Sequence, residues 1–197
     1  MENQKNKSVY SLTFSAVMVA LATVLSLIKV VKMPLGGSVT LLSMLPIVMI
    51  SPTLGLGWGL GSAFVYALIQ LFLGITLDGL FAWGLTPIML VGTICLDYLL
   101  AFTVLGLSGL FAKKGYAGIC GGTVLAIFLR FVCHFISGVV IFTELDQFEL
   151  FGNVFVNRPV LYSLAYNGLY MLPELVVTSF VAFLLFKLPQ IRRIMQK

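Results

Sequence analysis

The sequence predicts an all-α integral membrane protein with six transmembrane helices. Hydrophobic residues make up 60% of its 197 residues and charged residues only 10%, far from the roughly quarter-charged makeup of a soluble domain. Apolar stretches of about 20 residues, each long enough to cross a bilayer, recur from Val9 to Leu188. No polar block separates them, so the whole chain, 1–197, is expected to form a single transmembrane domain embedded in the lipid bilayer.

Apolar runs bounded by Pro, Gly and charged residues give the elements in order. Helix 1 covers about 9–31, following Lys5 and Lys7; it is long enough to span and is read as a retained helix, not a cleaved signal peptide. Helix 2, near 40–50, is confined by Pro34, Pro46 and Pro52 and barely long enough to cross, which leaves a tilted or re-entrant course open. Helix 3, near 53–76, contains Gly57-x-x-x-Gly61, a step at which a neighbouring backbone can come close. Helices 4, 5 and 6 follow near 86–111, 117–142 and 160–186.

Six crossings place both termini on one side. With that side cytoplasmic, Lys5, Lys7, Lys113, Lys114, Lys187, Arg192, Arg193 and Lys197 are inside and Lys29, Lys32 and Arg158 outside. Eight against three is the asymmetry expected of cytoplasmic loops. The acids Asp78, Glu144, Asp146 and Glu149 fall in outer loops. Topology therefore accounts for the net charge of +5, and nucleic acid is not an expected partner. Cys95, Cys120 and Cys133 lie in apolar runs without ligand spacing, so they read as core residues, with no metal and no cofactor.

Ionisable groups at membrane depth are costly and each asks for a reason. Four remain once the loops are removed: Asp97, Arg130, His134 and Glu174. A rise of 1.5 Å per residue puts Asp97, His134, Phe142, Tyr162 and Asn167 in the outer half and Arg130 and Glu174 deeper. The deeper two are expected to neutralise each other as a structural ion pair. The outer set supplies a carboxylate, amide and phenol groups and aromatic faces, which suit a small polar or cationic organic ligand. The chain contains no GxxxxGK[ST], HExxH or GxSxG motif, so it is not expected to hydrolyse ATP or to act as an enzyme. On helix 1, Ala16-x-x-x-Ala20 is a smooth patch that fits internal packing or a partner helix equally well.

Four stretches, "MPLGGSVTLLSMLPI" (33–47), "LDYLLAF" (96–102), "RFVCHFISG" (130–138) and "YSLAYNGLYMLP" (162–173), together resemble the thiamine-specific S component of energy-coupling-factor (ECF) transporters. The resemblance spans essentially the whole chain. It implies the S-component fold in a bacterial cell membrane, with thiamine captured from outside in a pocket closed by the loop between helices 1 and 2. Release inside is implied to follow docking on a transmembrane coupling subunit and two cytoplasmic ATPase subunits. By position, the resemblance assigns substrate contacts to Asp97, Tyr98, His134, Gly138, Phe142, Tyr162 and Asn167, and docking to Ala16 and Ala20. Gly138, one turn beyond His134, is expected to leave room for the substrate. The ring that stacks on the ligand is Phe142, Tyr98 or Trp83. The alternatives are an S component for another vitamin or pyrimidine precursor, and a stand-alone proton-coupled carrier using Asp97 and His134.

Overall fold

The computed structural model describes residues 2–33, 36–142, 148–150, 153–155 and 158–195. Pro34, Glu144, Asp146 and Lys197, which the sequence assigned to loops or boundaries, lie outside the described residues, as does the side chain of Glu149. The elements are α1 (Glu2–Leu27), β1 (Lys29–Lys32), β2 (Ser38–Thr40), α2 (Met44–Leu54), α3 (Leu56–Thr76), a composite helix α4 from Pro87 to Gly109, α5 (Gly115–Val140), β3 (Phe148–Leu150), β4 (Asn153–Phe155), α6 (Pro159–Lys187) and α7 (Pro189–Met195). All six expected helices are present, in an all-helical membrane fold, and α7 is an addition to them.

Helix 1 ends four residues early. The β-branched Val30 and Val31 extend into β1 instead, which pairs antiparallel with β2. Gly36 and Gly37, both at positive φ, let the chain reverse between the two strands. Helix 2 is correspondingly displaced to Met44–Leu54. Pro46 sits in its first turn, where a missing N–H costs nothing, and Pro52 sits at its end. Eleven residues at 1.5 Å each reach only about half the hydrocarbon thickness. The β1–β2 hairpin takes up the remaining depth, because Thr40 at its end touches Glu174, which lies about 22 Å along α6.

Helix α4 opens with Thr86 accepting from the Met89 N–H and Pro87 in the first turn, a favourable start. It is π-helical over Ile94–Leu100 and 3-10-helical over Val104–Gly109. The 3-10 part is where neighbouring backbones meet: Ser108 Oγ donates to Val48 O at 2.8 Å, and a Cβ on Gly106 would lie 2.6 Å from Gly59 O. The expected close approach at Gly57 and Gly61 is corrected by this contact. Both of those glycines face outward with nothing within 4 Å of a Cβ position, and Gly59 makes the crossing. The inward face of α3 lies two residues from the one that Gly57 and Gly61 mark, and spacing alone does not fix that face.

Candidate functional site

A cavity opens between the hairpin and α3, α4, α5 and α6. All seven residues expected to bind substrate line it: Asp97, Tyr98, His134, Gly138, Phe142, Tyr162 and Asn167. Arg130 and Glu174 line it too, so the outer and deeper layers form one continuous wall.

The π-helical turn presents Asp97 and Tyr98. Adjacent residues of an α-helix diverge by about 100°, whereas the wider π turn, a form frequent at functional sites, lets both face the cavity. The Asp97 carboxylate is held from α5. His134 Nδ1 lies 2.8 Å from Oδ1, and Ser137 Oγ donates to Oδ2. Arg130 Nε donates to His134 Nε2 at 3.4 Å, which leaves the ring proton on Nδ1, pointed at Asp97. A carboxylate offers about four lone-pair sites, so two remain for a ligand.

Asn167 is more committed than the sequence suggests. Its amide nitrogen donates to His134 O at 3.2 Å and Ser163 O at 3.0 Å, and its Oδ1 accepts from Tyr170 OH at 2.9 Å. One lone pair of Oδ1 is left for recognition. The aromatic lining is continuous along α6, with Tyr162 and Tyr166 ring centroids 5.5 Å apart and Tyr166 edge-on to Tyr170 at 6.3 Å. His134 meets the Tyr170 ring edge-on at 5.9 Å.

Two expectations are corrected. Arg130 and Glu174 form no ion pair: the guanidinium lies 4.1 Å from the Phe102 ring centroid and bonds His134, while the Glu174 carboxylate accepts from the Thr40 N–H and, at 2.7 Å, from Thr40 Oγ1. Depth along a helix places residues in a layer but not around its axis. Gly138 does line the cavity, yet a Cβ there would lie 2.3 Å from Ser163 Oγ. The missing side chain lets α6 approach α5, and Ser163 occupies the space expected for substrate.

The hairpin descends α6 in register. Tyr166 OH donates to Gly36 O at 2.9 Å, Gly37 packs against the Tyr170 ring, and Thr40 bonds Glu174. Tyr166, Tyr170 and Glu174 are spaced by four and share one face of the helix, continuing the line from Tyr162. Tyr166 and Tyr170, between the expected Tyr162 and Glu174, are additions to the site, and their spacing of four is legible in the sequence. At the mouth, Lys29 Nζ meets Asp78 at 2.5 Å and Lys32 Nζ the same carboxylate at 3.2 Å. Trp83 Nε1 donates to Asp78 O at 3.0 Å. Ala16 and Ala20 are remote from all of this, exposed on the outer face of α1.

A family model described as thiamine transporter protein matches residues 12–193. The thiamine transporter ThiT of Bacillus subtilis (strain 168) is 34% identical over 92% of this chain and 93% of its own. A solved structure of ThiT from Listeria monocytogenes superposes with a TM-score of 0.70 at 22% identity, covering 94% of this chain and 98% of that one; at that identity the likeness concerns the fold.

Proposed function

The chain belongs to the thiamine transporter protein family, a family of multi-pass membrane transporters and not of enzymes, and from that membership we propose that it is the thiamine-capturing S component of an ECF-type importer. The Asp97 carboxylate carries the reading. It lines the cavity and is held by the His134 ring and the Ser137 hydroxyl, whereas Asp78 is paired with both Lys29 and Lys32. A cationic ligand would supply a counter-charge to Asp97.

Thiamine has a cationic thiazolium, an aminopyrimidine with donors and acceptors, and a neutral hydroxyl tail. In this reading Asp97 accepts from or neutralises the ligand with its two unused lone-pair sites. Tyr162 and Asn167 read a polar edge, while Tyr98, Phe142, His134 and Gly138 complete the wall. The tyrosine rings along α6 offer faces for the cation. Titrating purified protein with thiamine while following intrinsic fluorescence tests the assignment. A saturable response at or below micromolar ligand is expected, and its absence overturns the reading.

Without a nucleotide-binding motif the chain needs an external motor, a transmembrane coupling subunit with two cytoplasmic ATPases. Ala16 and Ala20, both exposed on α1, are the docking surface in this proposal, with both termini cytoplasmic. In liposomes, thiamine uptake is expected only when the ATPase module is present. Ala16→Trp with Ala20→Trp is expected to abolish uptake and leave thiamine binding intact. Uptake by the chain alone would identify a stand-alone carrier.

A further inference from the structure

At the opposite end of the bundle, three segments bring cations together: the turn before α5 (Lys113, Lys114), the end of α6 (Lys187) and α7 (Arg192, Arg193). Lys187 Nζ lies 6.0 Å and the Arg192 guanidinium 5.7 Å from the centroid of one ring, Tyr116. Lys114 Nζ lies 5.5 Å over Phe111. Among the described residues none of these five cations forms an ion pair, since the ion pairs found there involve Lys29, Lys32 and His134.

The cluster is built, not incidental. Tyr116 OH donates to Phe183 O at 3.0 Å and Arg192 Nε donates to Phe186 O at 3.2 Å, which fixes the ring and the guanidinium against the end of α6. Ile191 of α7 packs into a core cluster with Leu45, Met49 and Phe186, so α7 is anchored by its apolar side while both of its arginines stay exposed. Like charges gathered at a low-dielectric boundary, with no carboxylate paired to them among the described residues, call for an external anion.

The surroundings say which kind. Val177, Phe180, Leu184 and Leu188 are all exposed and recur at near-helical spacing, forming an apolar stripe that runs along α6 into the cations. Leu110 and Phe111 are exposed beside them. A cationic cluster continuous with an apolar stripe matches a phosphate headgroup joined to acyl chains. A soluble anion would use only the first, and an acidic protein segment would leave the stripe unexplained.

We propose that Lys187 and Arg192, gathered on Tyr116, with Lys114 beside them, form a binding site for the headgroup of an anionic phospholipid in the leaflet that carries the C-terminal helix. The site is separate from the thiamine cavity and does not depend on it.

The test uses the full chain, stripped of lipid in detergent and examined by native mass spectrometry with added phosphatidylglycerol or phosphatidylcholine. The wild type is expected to retain phosphatidylglycerol in at least about fivefold preference, since one cation near an anionic headgroup is worth roughly that factor. Lys187→Gln with Arg192→Gln is expected to lose the preference, with thiamine affinity unchanged as the check on folding. Equal retention of the two lipids by the wild type overturns the proposal. So does a preference that survives in the double variant, or displacement of phosphatidylglycerol by millimolar inorganic phosphate, which would mark a soluble-anion site.

Discussion

Glu174 of α6 and Thr40 at the end of the hairpin are joined through a single carboxylate oxygen, which accepts both the backbone N–H and the hydroxyl of Thr40. Glu174 is 4% exposed and Thr40 Oγ1 is also 2.6 Å from Ser43 Oγ. The contact ties the end of the hairpin, which lines the cavity, to the middle of a long helix. Hydrogen bonds to a charged group contribute about 1.5–3 kcal/mol. Glu174→Ala is therefore expected to speed thiamine dissociation by roughly 10- to 100-fold, and Thr40→Val, which keeps the backbone N–H, by less. Stopped-flow chase of bound thiamine measures both; an unchanged rate in Glu174→Ala would show that the hairpin is held elsewhere.

Asp97 should matter through its charge more than its shape. Asparagine keeps the size and can still accept from His134, but it removes the negative charge that Asp97 brings to the wall. Asp97→Asn is expected to weaken thiamine binding by at least about tenfold, the equivalent of about 1.4 kcal/mol. Binding of the uncharged aminopyrimidine fragment should change much less. Calorimetry with the two ligands separates the effects, and an equal loss for both would assign Asp97 to hydrogen bonding alone.

The hydropathy pattern located the helices because each must satisfy its own backbone in lipid. It also brought Asp97 and His134 to one depth, and they do meet. The hairpin escaped because Lys29-Val-Val-Lys32 is apolar enough to extend helix 1, and the strand pairing that competes with it is non-local. The π turn around Asp97 has no proline or glycine within it to announce it. The partner of Glu174 is not legible because it comes from the connection between helices, Thr40, whose course hydropathy does not give.

Gly138 and Gly61 give a contrast in packing. At Gly138 a Cβ would lie 2.3 Å from Ser163 Oγ, and that hydroxyl is held in place by a 2.8 Å bond to Phe135 O. Gly138→Ala is expected to destabilise by about 1–3 kcal/mol through overpacking, with Ser163→Gly restoring part of the loss. Gly61→Ala meets nothing within 4 Å and should stabilise by up to about 1 kcal/mol, the helix-propensity difference. Thermal unfolding in nanodiscs ranks the variants; equal melting temperatures for Gly138→Ala and Gly61→Ala would contradict the α5–α6 contact.

Trp83 should report the hairpin's position. Its indole N–H bonds Asp78 O, and a Cβ on Gly36 would lie 2.4 Å from its ring. The ring therefore touches the hairpin turn directly and also lines the cavity. Trp58, the chain's second tryptophan, packs against the core cluster without lining the cavity. Thiamine is expected to change the emission of wild-type protein and of Trp58→Phe, but not of Trp83→Phe. Lys29→Met removes the cation 2.5 Å from Asp78 and should shift the unliganded emission of Trp83 toward that of a solvent-exposed indole. The partly exposed Lys29–Asp78 pair contributes at most about 1 kcal/mol, so thiamine affinity in Lys29→Met should fall no more than about fivefold. A thiamine response that persists in Trp83→Phe would mean that the ring does not report closure of the hairpin.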